Sequence, residues 1–193
     1  MRASKRKDGF DPRIKLIVGL GNPSRQYRNT YHNAGSLAVD FLRNAAGAPD
    51  AKIHGSKLFE YARAQNLIFA KPLVFMNESG AALRAMSKFF RVKPAEILVL
   101  HDDSDLPIGV VKRIFNRGSA GHRGVDSVTR ALGTKEFFRV RIGTRNLARY
   151  PLQGRRIPAS AFALRPMRED DRAALVEAFE KAANELNLVP VSR

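Results

Sequence analysis

The chain has 193 residues, 44% of them hydrophobic, enough for one α/β domain with a sizeable core and too few for two comfortable ones. It contains no cysteine, which removes disulfides, thiolate catalysis and thiolate metal sites, and no apolar run approaches the roughly 20 residues of a membrane span. Its 34 Lys and Arg outweigh 18 Asp and Glu to give a net charge of +16, a field that draws polyanions, nucleic acid first and an anionic membrane surface second.

Residues 1–13 are basic and polar, lack the apolar stretch of a secretory signal, and carry Asp8 and Asp11, which argue against a transit peptide. They read as a flexible basic arm ahead of a single catalytic domain over residues 14–193. The β-branched and aliphatic run Ile14–Leu20 predicts a strand that ends in Gly21-Asn22-Pro23. A helix is expected from about Asn33 to Ala46, with Leu37, Ala38, Phe41, Leu42 and Ala45 on one face. Residues 52–64 read as short strand or loop, and Leu67–Phe69 as a short strand ended by Lys71-Pro72.

Asn77 or Ser79 is placed to cap the next helix, whose apolar face would be Leu83, Met86, Phe89 and Phe90. Ile97–Leu100 predicts a buried strand ending in His101-Asp102-Asp103, and Val110–Phe115 another strand. Gly118, Gly121 and Gly124 form a loop that opens a helix around Val125, Val128 and Leu132. Phe137–Ile142 predicts a strand with Arg139 and Arg141 pointing outward, and Gly143–Pro166 a looser stretch. A last helix runs from about Arg168 to Asn187 on the stripe Leu175, Ala178, Phe179, Ala182 and Leu186. Alternating strands and helices predict a mixed, mostly parallel sheet with helices on both faces.

Open α/β sheets put their sites at the carboxyl ends of strands. There the chain delivers Asn22 and His32, then Asn77, then Asp102 followed by Asp105, with His122 on the glycine loop. Each has a plainer reading alone: His32, Asn77 and His122 as helix caps, Asp102 as a turn residue. Together they supply a base, an orienting carboxylate and amide donors, the groups that attack of water on a carbonyl requires. Competing motifs fail. Gly19-Leu20-Gly21 opens like a dinucleotide fingerprint, but Ser24 stands where its last glycine belongs. There is no phosphate-binding P-loop pattern and no Gly-x-Ser-x-Gly elbow. The histidines at 32, 54, 101 and 122 lack zinc-type spacing, so neither metal nor cofactor is expected.

The stretches Lys15-Leu-Ile-Val-Gly-Leu-Gly-Asn-Pro23, Thr30-Tyr-His-Asn-Ala-Gly35, Lys71-Pro-Leu-Val-Phe-Met-Asn-Glu-Ser-Gly80, His101-Asp-Asp-Ser-Asp-Leu-Pro-Ile-Gly109, Gly118-Ser-Ala-Gly-His-Arg-Gly124 and Phe138-Arg-Val-Arg-Ile-Gly143 resemble, in order and spacing, the bacterial-type peptidyl-tRNA hydrolase family. The resemblance implies a monomeric αβα sandwich in the cytoplasm that hydrolyses the ester joining a peptide to the 3′ end of tRNA, with no membrane partner. It implies His32 as base and Asp102 as its carboxylate partner. Asn22 and Asn77, with Tyr27, would hold the peptide near the ester, and His122 would stand at the cleft edge. Lys112, Arg113 and Arg141 would clamp tRNA phosphate. The alternative is a family-derived RNA-binding or ribosome-associated protein that kept the fold and lost catalysis. Three positions depart from the family pattern: Tyr31 replaces an arginine, Asp103-Ser104 replaces Glu-Leu, and Arg123 replaces an asparagine of the functional set. Arginine at 123 offers a donor fork suited to phosphate, which shifts the expected role from peptide to tRNA.

Overall fold

The computed structural model describes residues 11–150, 157–186 and 188; the first ten residues of the expected basic arm, part of the looser stretch and Asn187 at the expected end of the last helix lie outside that range. The strands are β1 (Leu16–Gly19), β2 (Lys52–Ile53), β3 (Phe59–Ala64), β4 (Leu67–Pro72), β5 (Ile97–Pro107), β6 (Val111–Phe115) and β7 (Phe138–Arg145). The α-helices are α1 (Ala34–Ala45), α2 (Ser79–Phe90), α3 (Arg123–Leu132), α4 (Ala159–Ala163) and α5 (Glu169–Glu185). The strands form one seven-stranded sheet in the order β2-β3-β4-β1-β5-β7-β6. The central strands β4, β1, β5 and β7 pair in parallel, while β3 on β4, β2 on β3 and β6 on β7 pair antiparallel. The expected mixed, mostly parallel sheet is present.

Side chains alternate along the central strands and so divide into two cores. Ile17, Leu98, Leu100, Val140 and Ile142 pack with Ala38, Leu42, Phe162, Leu175 and Phe179 of α1, α4 and α5. Leu16, Val18, Ile97 and Val99 pack on the other face with Leu83, Met86, Val125 and Val128 of α2 and α3. Each fully buried Leu, Ile or Val contributes roughly 1.5–3 kcal/mol relative to exposure, so these two layers hold the sandwich together.

Two glycines set how α1 meets the sheet. A Cβ on Gly35 would lie 2.2 Å from the Leu100 carbonyl oxygen, and one on Gly19 would lie 2.2 Å from the Gly35 carbonyl oxygen. Only glycine allows this backbone-to-backbone approach. It presses the start of α1, and the short 3₁₀ turn Tyr31–Asn33 before it, against the middle of β5 at Leu100. That packing brings residue 32 to residue 102.

Several sequence expectations are corrected. Strand β5 does not stop at Leu100 but continues to Pro107, because residues 101–103 and 107 pair with β7. His101 and Asp102 are therefore inside a strand, not in a turn. Neither Asn77 nor Ser79 caps α2: a 3₁₀ turn over Met76–Glu78 leads straight into the helix, and no side chain caps it. Phe89 does not join the core; it is 46% exposed, at the end of α2. Arg139 does not point outward. It is 2% exposed, and its guanidinium donates to the carbonyls of Arg117 at 2.7 Å and Gly118 at 2.8 Å. Those bonds give the buried guanidinium carbonyl partners and pin the glycine loop. Arg141 is partly buried and donates to the Asp103 carboxylate. Within the looser stretch, β7 extends to Arg145 and α4 is formed. Among the described residues no helix is long and apolar enough to cross a membrane.

Candidate active site

The loops after β1 and β4, the carboxyl half of β5 and the loop before α3 surround one cleft of about 300 Å³. It is lined by Asn22, Tyr27, His32, Asn77, Asp102, His122 and Arg123, among others. Asp105 lines it too, so eight of the side chains singled out from sequence come together. Lys112, Arg113 and Arg141 do not line the cleft; they stand on the β6–β7 edge, where Lys112 pairs with Arg141 in the strand register.

Asp102 is the centre of the arrangement. Its Oδ1 lies 2.8 Å from Nδ1 of His32 and 2.9 Å from Nε2 of His122. Nδ1 of His122 accepts the Val125 N–H at 3.3 Å as the N-cap of α3, so the His122 proton is on Nε2 and points at the carboxylate. The cap and the cleft readings of His122 both hold, one for each ring nitrogen. His32 likewise directs Nδ1–H at Asp102, which leaves Nε2 for the cleft.

Burial works to raise the Asp102 pKa, but the two imidazoles outweigh it and hold the carboxyl well below the usual carboxylate range. Burial works to lower the His32 pKa, as does Arg123, but the Asp102 carboxylate prevails and raises it. His101 adds a third imidazole, its ring 4.7 Å from that of His122. Its Nδ1 donates to the Asp102 carbonyl oxygen at 2.9 Å, and burial drives its pKa well below the histidine range, so it is neutral. His32 Nδ1, Asp102 Oδ1 and His122 Nε2 are close enough together to hold a cation. They are already spent on one another, with both nitrogens directing protons at one oxygen.

The asparagines divide their labour. The Oδ1 of Asn22 accepts the Met76 N–H at 2.8 Å, tying the β1 loop to the β4 loop and leaving its NH₂ as the free end of the amide. Asn33 shapes the same loop: its Oδ1 accepts the Asn22 N–H at 2.8 Å and its Nδ2 donates to the Asn22 carbonyl at 3.0 Å. Asn77, released from capping, is exposed at the cleft. Tyr27 meets Phe75 edge-on, with ring centroids 6.5 Å apart.

Sequence reasoning missed the apolar wall that α4 supplies. Ala159, Ala163 and Leu164 of α4 and its end line the cleft together with Phe75 and Met76. The signal in the sequence was Pro158 ahead of an Ala-rich segment with one Phe, a weak one for so short a helix.

A model of the peptidyl-tRNA hydrolase family matches residues 16–192. The chain is 37% identical over 180 residues to a peptidyl-tRNA hydrolase of Coxiella burnetii, covering 92% of this chain and 89% of that protein. It is 42% identical over 178 residues to one from Mycobacterium bovis, covering 90% of each. The crystal structure of peptidyl-tRNA hydrolase from Acinetobacter baumannii superposes with a TM-score of 0.80 at 29% identity, covering 92% of this chain and 88% of that one.

Proposed function

The chain belongs to the peptidyl-tRNA hydrolase family, an enzyme fold carrying an enzyme's cleft, and from that premise we propose how it hydrolyses peptidyl-tRNA. His32 is the general base. Its Nε2 takes a proton from water, and the resulting hydroxide adds to the carbonyl carbon of the ester. The tetrahedral intermediate collapses by breaking the bond to the ribose oxygen, and the imidazolium returns the proton to that oxygen. Asp102 orients the ring and stabilises the imidazolium while it exists. The NH₂ groups of Asn22 and Asn77 hold the peptide at the ester, and Tyr27 borders them. His122 donates to the same carboxylate oxygen as His32 and steadies it.

The observation that carries this reading is the 2.8 Å approach of His32 Nδ1 to a buried Asp102 inside the cleft that also collects Asn22 and Asn77. A protein that only bound RNA would have no use for a buried carboxylate charged against an imidazole. On this reading residues 14–193 act as one catalytic unit, monomeric and cytoplasmic, with no cofactor. The test is release of a labelled N-acetyl-aminoacyl group from tRNA by the purified protein. Absence of release above the spontaneous rate would leave only a binding role.

Lys112 and Arg113 are exposed on β6 and suit phosphate binding. Arg141 is already committed to Asp103 and contributes less. Affinity for tRNA is expected to fall steeply with salt, and the double variant Lys112→Ala, Arg113→Ala to reduce that slope by about 2, one for each phosphate no longer neutralised. Arg141→Ala should change it less; the reverse order would move the phosphate clamp to β7.

Arg123 is exposed at the cleft and close enough to act electrostatically on His32. We assign it to the phosphates of the tRNA 3′ end. Arg123→Ala should raise KM with a smaller effect on kcat, the pattern of lost uniform binding. Removing its charge also raises the His32 pKa, so the acid limb of the rate profile should move to higher pH. A fall in kcat at constant KM would place Arg123 in the chemical step instead.

A further inference from the structure

Tyr31 precedes His32 in the same 3₁₀ turn and faces the other way. It is 1% exposed, and its ring stacks on Phe162 of α4 with centroids 4.6 Å apart and planes 17° apart. Its hydroxyl donates to Oδ2 of Asp171, a carboxylate in the first turn of α5 that is itself 1% exposed. Asp171 has two further partners: Asn146 Nδ2 donates to Oδ1 at 3.0 Å, and Arg149 donates to Oδ2 at 3.0 Å while also reaching Asp170 at 2.5 Å.

The backbones join there as well. Tyr31 N–H donates to the Arg165 carbonyl at 3.2 Å, Met167 N–H donates to the Asn29 carbonyl at 2.7 Å, and Thr30 bridges to Pro166. The segment so clamped links α4, whose Ala159, Ser160 and Ala163 line the cleft, to α5. One turn therefore carries the base on its cleft side and, on its buried side, the anchor of the α4 wall.

We propose that Tyr31 is a positioning residue for His32, and that its hydroxyl bond to Asp171 sets both the aim of the base at Asp102 and the seat of the α4 wall. The assignment rests on the role given to His32 above. The physical reason is rigidity. A 3₁₀ turn has few internal bonds, so its side chains are held by what they touch outside. His32 is held at Nδ1 by Asp102, and rotation of the turn would lengthen that bond. The stacked ring fixes the tilt of the turn and the hydroxyl fixes its rotation. Burial and the neighbouring Asp171 raise the Tyr31 pKa, so the hydroxyl stays protonated and remains a donor.

The test is Tyr31→Phe, which keeps the ring stack and removes only the donor. Asp171 retains Asn146 and Arg149, so thermal unfolding should show a folded protein. With N-acetyl-aminoacyl-tRNA as substrate, kcat should fall by about 10- to 100-fold, the cost of misplacing a catalytic group by a fraction of an ångström to an ångström. KM should change less than kcat, since the phosphate-binding residues are untouched and only the α4 wall shifts. The groups facing His32 are Asp102 from β5 and His122 and Arg123 from α3 and its cap. If the turn rotates away from Asp102, the His32 pKa falls and the acid limb moves to lower pH. Asp171→Asn keeps an acceptor for the hydroxyl and should retain more activity than Tyr31→Phe, and the double variant should lose less than the two singles combined. Unchanged kcat in folded Tyr31→Phe overturns the proposal. So does a lowered kcat with an unmoved acid limb, because the loss would not then pass through His32. Failure of the His32 assignment itself would show separately, as full activity in His32→Ala.

Discussion

His32→Ala is expected to lower kcat for N-blocked aminoacyl-tRNA by about 100- to 10,000-fold, the usual worth of a positioned general base. The size of the effect follows from what the side chain alone supplies. No neighbouring imidazole can replace it: His122 has both nitrogens engaged, one by Val125 and one by Asp102, and His101 is buried behind it. KM should change little, because the phosphate-binding residues and the amides remain. The variant should stay folded, since His32 is partly exposed and its removal leaves a gap open to the cleft. Single-turnover release of label separates chemistry from product release. Turnover within a few-fold of the parent protein would remove His32 from the mechanism and leave Asp102 without a catalytic purpose.

That the same residues can be picked out from sequence reflects where they lie. The central strands are short apolar runs punctuated by glycine, so β1 and the first half of β5 are legible from hydrophobic pattern, and the polar residues at their ends stand out against it. The correspondence fails where a polar side chain is buried. Asp102 and His101 lie inside β5, and no pattern marks a strand that continues through His-Asp-Asp-Ser-Asp. What extends it is long-range pairing with β7. Arg139 shows the same limit: alternation puts it off the Val140 face, but only the loop carbonyls of Arg117 and Gly118 determine that this second face is closed to water. The α4 wall depends on Phe162 finding Tyr31, and Tyr31 on Asp171, residues 140 apart in the chain. Asn33 is legible as an asparagine near a histidine, but its bidentate grip on the Asn22 backbone is visible only once the β1 loop has folded back.

Asp102→Asn is the second variant with a large expected effect, and its signature differs from that of His32→Ala. Asparagine keeps the size of the side chain and an oxygen that can still accept from both imidazoles, so the fold should persist by circular dichroism. It removes the charge that raises the His32 pKa and puts a neutral amide oxygen in place of the charged acceptor that the His32 and His122 N–H groups share. The rate plateau should fall by about 100- to 10,000-fold, as for other orienting carboxylates of a general base. The acid limb, set by His32, should move to lower pH. Stability supplies an independent check. The depressed Asp102 pKa means its contribution is present above the ordinary carboxylate pKa and is lost as pH falls through the folded value. The raised His32 pKa means its contribution is present below the ordinary histidine pKa and is lost as pH rises through the folded value. The mutual attraction is therefore greatest between about pH 4 and pH 6.5, bounded by the two ordinary values. The difference in Tm between parent and Asp102→Asn should lean most toward the parent in that window and decline on either side. A difference that stays flat across it would mean that Asp102 and His32 are not charged against each other, and the carboxylate's part in activating His32 would have to be abandoned.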